Sequence, residues 1–108
     1  MEKIVIIKGR QRECRGSLQS FTDLPLEKQK IFSSIKAKIE EILEKHVDVY
    51  VYGSHHHGYW DEYSDYDILI PEFPGVDLTK TLRETLGYGI DIQYFYKAID
   101  IFKLQLID

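Results

Sequence analysis

Asp65 and Asp67 flank a single residue, Tyr66, and that spacing suits a divalent cation. Side chains two apart on a strand point to the same face, so both carboxylates would project together, with Cα atoms about 7 Å apart. Like charges this close repel, and without a cation one of the pair would take up a proton. Magnesium removes that conflict, because it favours carboxylate oxygens combined with substrate phosphates. Tyr66, Ile68 and Ile70 would face the core from the opposite side. A third carboxylate, Asp91, interrupts the apolar stretch Gly89-Ile90-Asp91-Ile92-Gln93. Ile90, Ile92 and Tyr94 take one face there, which leaves Asp91 and Gln93 on the other. If the two strands lie side by side in register, three carboxylates converge. Such a set can hold two Mg²⁺ ions that clamp the attacking and leaving oxygens of an in-line phosphoryl transfer. Neither part is specific alone. Asp-x-Asp is weak in a chain with 18 acidic residues, and a lone strand aspartate is more often a surface residue.

The third part is Gly53-Ser54, at the end of an apolar strand and leading into a turn or short helix. Glycine lets the backbone approach a ligand closely. Exposed N–H groups at such a start bind phosphate, and the Ser54 hydroxyl can add a donor. A Gly-Ser pair by itself is more often a turn.

The elements that would position these groups follow from pattern. Lys3 to Lys8 reads as a short strand, and Gly9 to Thr22 as a polar loop whose Arg10, Arg12 and Arg15 are solvated rather than phosphate-bound. Asp23 to His46 is the clearest helix, with Pro25 in its first turn. Its Ile31, Ile35, Ile39, Ile42 and Leu43 form an apolar stripe, and Glu41 and Lys45 form an i,i+4 pair. Val47 to Tyr52 alternates as a strand, with Val47, Val49 and Val51 on one side. Residues 54–64 form a polar connection. Asp65 to Ile70 is a strand, Leu78 to Leu86 a short helix, and Ile90 to Phe95 a strand. In the tail, Phe95, Ala98, Ile99 and Phe102 fit a helix, while Phe102, Leu104 and Leu106 fit a strand. The order β–α–β–β–α–β predicts an α+β domain with a small mixed β-sheet and helices packed mainly on one face.

Gly53-Ser54, ten intervening residues, Asp65-x-Asp67 and the later strand carboxylate Asp91 together resemble the DNA polymerase β-like nucleotidyltransferase superfamily, and within it the minimal nucleotidyltransferase branch. The stretch VYVYGSHHHGYWDEYSDYDILI also fits in detail, with a glycine at 58 and Ser64 just before the first aspartate. The resemblance covers about residues 25–95 and implies roles. Gly53 and Ser54 would hold the triphosphate of ATP or another NTP. Asp65 and Asp67 would ligate two Mg²⁺ ions, and Asp91 would ligate one of them and help deprotonate the acceptor hydroxyl. In this branch the acceptor is often a hydroxyl on a partner protein, a HEPN-type ribonuclease toxin that is silenced by AMP transfer. The chain departs from the pattern at His57, where members often carry a basic residue, commonly arginine, just before the glycine. A mostly neutral histidine there weakens a phosphate contact.

Composition narrows the field. The 108 residues suit one domain, with 44% hydrophobic and 30% charged residues arguing against disorder. No apolar run reaches the roughly 20 residues that span a bilayer, and Ile4 to Ile7 lacks a cleavage site, so neither a membrane anchor nor a signal peptide is expected. Cys14 is the only cysteine, which suits a cytoplasmic protein. Residues 1–45 carry 10 Lys+Arg against 7 Asp+Glu, while residues 46–108 carry 4 against 11. An acidic half is a poor nucleic-acid footprint. The histidines at 55, 56 and 57 point in different directions and cannot share one ion, so they read as a polar loop. Trp60, if exposed, is the best candidate for a partner anchor. The leading expectation is an Mg²⁺-dependent nucleotidyltransferase with a protein acceptor. Alternatives are an antitoxin that neutralises by contact alone, and transfer to RNA or to a small molecule such as an aminoglycoside.

Overall fold

The computed structural model describes residues 3–7, 10–14, 20–94 and 105–107. In chain order the elements are β1 (Lys3–Ile7), β2 (Arg10–Cys14), a 3₁₀ turn (Phe21–Asp23), α1 (Leu26–Leu43), β3 (Tyr50–Val51), α2 (Ser54–His57), β4 (Tyr66–Ile70), α3 (Val76–Leu86), β5 (Ile90–Tyr94) and β6 (Gln105–Leu106). β1 and β2 form an antiparallel pair that runs from Lys3 opposite Cys14 to Ile7 opposite Arg10. The remaining strands form one mixed sheet in the order β5-β4-β3-β6. The fold is therefore α+β, as the pattern of elements predicts.

Two stretches differ from expectation. Residues 10–14 are a strand and not part of a polar loop. Polarity does not oppose this, because pairing with β1 satisfies main-chain groups whatever the side chains are. The strand expected over Val47 to Tyr52 shrinks to Tyr50–Val51. The Val47 N–H goes to the Glu40 carboxylate at 3.0 Å and not to a neighbouring strand. The alternation survives this shortening, since Val47, Val49 and Val51 are all buried. The two readings of the tail fall mostly outside the described residues. Leu106 belongs to β6, which pairs antiparallel with β3, and Ile107 donates its N–H to Val49 at 2.8 Å.

α1 lays one face on the sheet. Phe32, Ile35 and Ile39 are buried at helical spacing, with Ile42 and Leu43 partly buried beside them. Ile31, expected in that stripe, is 37% exposed and lies at a shallow groove with Ser34 and Leu86. Phe32 takes its place one residue on. The helix ends at Leu43, and Glu44 adopts the left-handed conformation. Lys45 therefore leaves the helical spacing to Glu41 and pairs with Glu72 at 2.6 Å, while Glu41 meets Lys38 at 3.9 Å.

α1 and α3 pack together, and Leu82 of α3 is fully buried in the same core as Ile68, Ile70 and Ile107. α3 carries the chain from β4 across to β5, which runs parallel to it. Among the described residues, no helix is long and apolar enough to cross a membrane.

Truncating Phe32 to Ala should destabilise the domain by about 3–5 kcal/mol in urea unfolding, because it removes a fully buried ring from beneath the sheet. Ile31→Ala should change stability by less than about 1 kcal/mol, since its side chain is partly solvated.

Candidate active site

The register of β3, β4 and β5 builds a row across the sheet. β3 opposes β4 with Val51 against Ile68, and the ladder continues as the Tyr52 N–H bonds to the Asp67 carbonyl at 3.1 Å. β4 lies beside β5 with Asp67 opposite Asp91. Tyr52, Asp67 and Asp91 thus occupy neighbouring positions on three adjacent strands. Ile68 and Ile70 alternate to the other face and are fully buried. Ile90, Ile92 and Tyr94 pack against the core, whereas Asp91 and Gln93 are exposed. Asp65 sits one residue before β4 and is exposed. The parallel pairing reaches it nonetheless, since the Tyr66 N–H bonds to the Gly89 carbonyl at 2.9 Å. Asp65 and Asp91 line one cleft of about 500 Å³ between α3 and the edge strand β5.

The turn that delivers Asp65 is held by its own polar groups. The Asp61 N–H donates to Ser64 Oγ at 2.9 Å, and the Tyr63 N–H donates to Asp61 Oδ1 at 2.9 Å. Ser64 is therefore a fastener immediately before the first aspartate.

Tyr52 is the residue that pattern reading missed. Its hydroxyl donates to Asp91 Oδ2 at 2.8 Å, reaching across β4 to β5. The phenol pKa is raised, first by burial, then by this hydrogen bond and by the negative charges of Asp91 and Asp67. It is held as a neutral donor against two carboxylates. Its face was legible in the sequence, though not its partner: Val47, Val49 and Val51 on the core face put Tyr52 on the face of Asp67.

Gly53 is demanded by geometry. Its φ is +72°, a backbone state that side chains rarely adopt. A Cβ there would overlap the Asp67 Oδ2 atom and lie 2.9 Å from its Cγ. The backbone thus passes directly over one carboxylate before entering α2. The first N–H groups of a helix lack intrahelical partners. Ser54 opens α2 and is 7% exposed. His57 closes it, is exposed, and stacks on Tyr59 with ring centroids 5.5 Å apart.

The histidine run divides by burial. His55 is 1% exposed and lies stacked between Trp60 at 5.1 Å and Tyr66 at 4.9 Å, edge-on to Phe32 at 5.3 Å. It fastens α2 to the core instead of belonging to a polar loop. Trp60 is 6% exposed and is part of that stack, so it is no anchor for a partner.

Asp65, Asp67 and Asp91 offer only hard oxygen donors, a set whose chemistry fits Mg²⁺. Among the described residues, no group of three or more His, Cys, Asp or Glu side chains is gathered into a ready metal cluster. One oxygen of Asp91 is engaged by Tyr52. The backbone register aligns Asp67 and Asp91, while the side chains do not close on a common point.

The family model described as nucleotidyltransferase domain matches residues 25–105, more than half of the chain. No curated protein and no solved structure matches.

Gly53→Ala should destabilise the domain by about 1–3 kcal/mol from backbone strain. The added Cβ should also displace the Asp67 carboxylate. Urea unfolding and a crystal structure of the same variant check both outcomes.

Proposed function

The chain belongs to the nucleotidyltransferase domain family, and on that premise we propose that it is a Mg²⁺-dependent enzyme that moves a nucleoside monophosphate from an NTP, ATP in the first instance, to a hydroxyl on a partner protein. The observation that carries this reading is the pairing of Asp67 with Asp91 across β4 and β5, with Gly53 pressed against Asp67. Two carboxylates and a backbone able to approach phosphate lie together at one end of the sheet.

The roles divide as follows. The Gly53 backbone and the start of α2 hold the triphosphate, aided by Ser54 and by His57 at the rim. Asp65, Asp67 and Asp91 hold the metal ions. When bound, Mg²⁺ offsets phosphate charge and eases loss of the acceptor proton. Asp91 receives that proton. The acceptor oxygen forms a bond to the α-phosphorus, the bond from the α-phosphorus to the bridging oxygen breaks, and pyrophosphate leaves. Tyr52 orients Asp91 through its hydrogen bond, so the base faces the reacting hydroxyl in one rotamer.

The partner proposed is a HEPN-type toxin inactivated by AMP transfer in the cytoplasm, which would make this chain an antitoxin. A second reading, neutralisation by contact without transfer, draws on His57. That residue stands where a basic side chain is the family's habit, and it is stacked on Tyr59.

Added to a cell extract, the chain should raise protein labelling from ATP labelled at the α-phosphate above the extract's own level, and should raise none from ATP labelled at the γ-phosphate. Asp91→Asn should lower that labelling by about 100-fold or more, the usual contribution of a general base. Labelling from the γ-phosphate and none from the α-phosphate would mean phosphoryl transfer and would refute the proposal.

A further inference from the structure

The cleft beside β5 shares Asp65 and Asp91 with the carboxylate row, yet among the described residues none of its lining comes from β3 or α2. Among the described residues β5 is an edge strand, in the order β5-β4-β3-β6. The cleft therefore lies beyond Asp91, on the side away from Gly53. A group seated in the cleft would reach Asp65 and Asp91 without occupying the space of a donor held at Gly53.

The walls of the cleft carry the charge signal. Residues 46–94 contain nine Asp+Glu and only two Lys+Arg. Both cations, Lys80 and Arg83, line this cleft, three residues apart on α3. Neither forms an ion pair with a carboxylate among the described residues. Beside them, Val76 is 74% exposed and Tyr88 is 99% exposed. Two cations next to exposed apolar groups match a ligand that brings both carboxylate and apolar side chains.

We propose that this cleft is the acceptor site and that it selects an acidic, hydroxyl-bearing segment of a partner protein, which Lys80 and Arg83 grip beside the carboxylate row. The proposal rests on the nucleotidyl-transfer reading above and adds the chemistry of the acceptor. A polycationic aminoglycoside brings no carboxylate for Lys80 and Arg83 to grip. A nucleic acid would find in the cleft two cations beside two carboxylates, Asp65 and Asp91, too few to neutralise a run of phosphates.

The test uses two synthetic tyrosine peptides that differ only in their flanks, glutamate or lysine, with the whole chain and its Lys80→Glu/Arg83→Glu variant. The wild type should bind and modify the glutamate-flanked peptide in preference. The variant should lose roughly 10-fold on that peptide, the scale of two exposed ion pairs. It should gain on the lysine-flanked one, with Mg²⁺–ATP binding by calorimetry unchanged. Unaltered peptide preference alongside normal ATP binding overturns this inference and leaves the transfer reading standing. Weakened ATP binding in the variant also overturns it, because the two cations would then serve the donor. Transfer to RNA and not to either peptide overturns it in favour of a nucleic-acid acceptor. Failure of the wild type to bind Mg²⁺–ATP removes the transfer reading and this inference together.

Discussion

Asp67 and Asp91 lie side by side on adjacent strands, and their mutual repulsion must be overcome by the rest of the domain. The opposing force comes from the reverse face of the same strands. Ile68 and Ile70 of β4 are fully buried against α1 and α3, and Ile90 and Ile92 of β5 pack against that core. Because side chains alternate strictly along a strand, burying one set fixes the other set outward. A slip of one residue between β4 and β5 would move the carboxylates out of line and expose the isoleucines. The hydrophobic core is thus what specifies the charge geometry.

The end of β3 shows the same coupling on a smaller scale. Tyr52 continues the ladder to Asp67, and Gly53 then turns over the Asp67 carboxylate at a φ of +72°. The strand must stop here, because the chain leaves the sheet to form α2. His55 holds α2 down by stacking between Trp60 and Tyr66, so a residue type associated with ligands acts as packing. Tyr66 serves both sides of the design. Its ring supports His55, its hydroxyl accepts a hydrogen bond from Lys28 of α1 at 3.0 Å, and its backbone spaces Asp65 from Asp67.

The features that depend on local period were legible before any coordinates. α1, α3, β4 and β5 follow from helical or alternating apolar spacing, and the outward side of Asp67 and Asp91 follows from alternation alone. Features that depend on a distant partner were not. Lys45 chose Glu72 across the chain over Glu41 along the helix, and Val47 gave its N–H to Glu40. β2 escaped notice because its pairing with β1 needs only main-chain groups. The hydrogen bond from Tyr52 to Asp91 joins residues 39 apart, and only the strand order brings them together. The burial of Trp60 and His55 came from a stack whose members lie on α2, on β4 and in the connection between them.

The account stands on Asp65, Asp67 and the turn at Gly53 forming one donor site that needs a divalent cation. Calorimetric titration of ATP into the wild type and into Asp65→Asn/Asp67→Asn, each with and without Mg²⁺, addresses this directly. The account predicts binding by the wild type that requires Mg²⁺ and that disappears in the double variant. Equal ATP binding by both proteins, or binding indifferent to Mg²⁺, would contradict it.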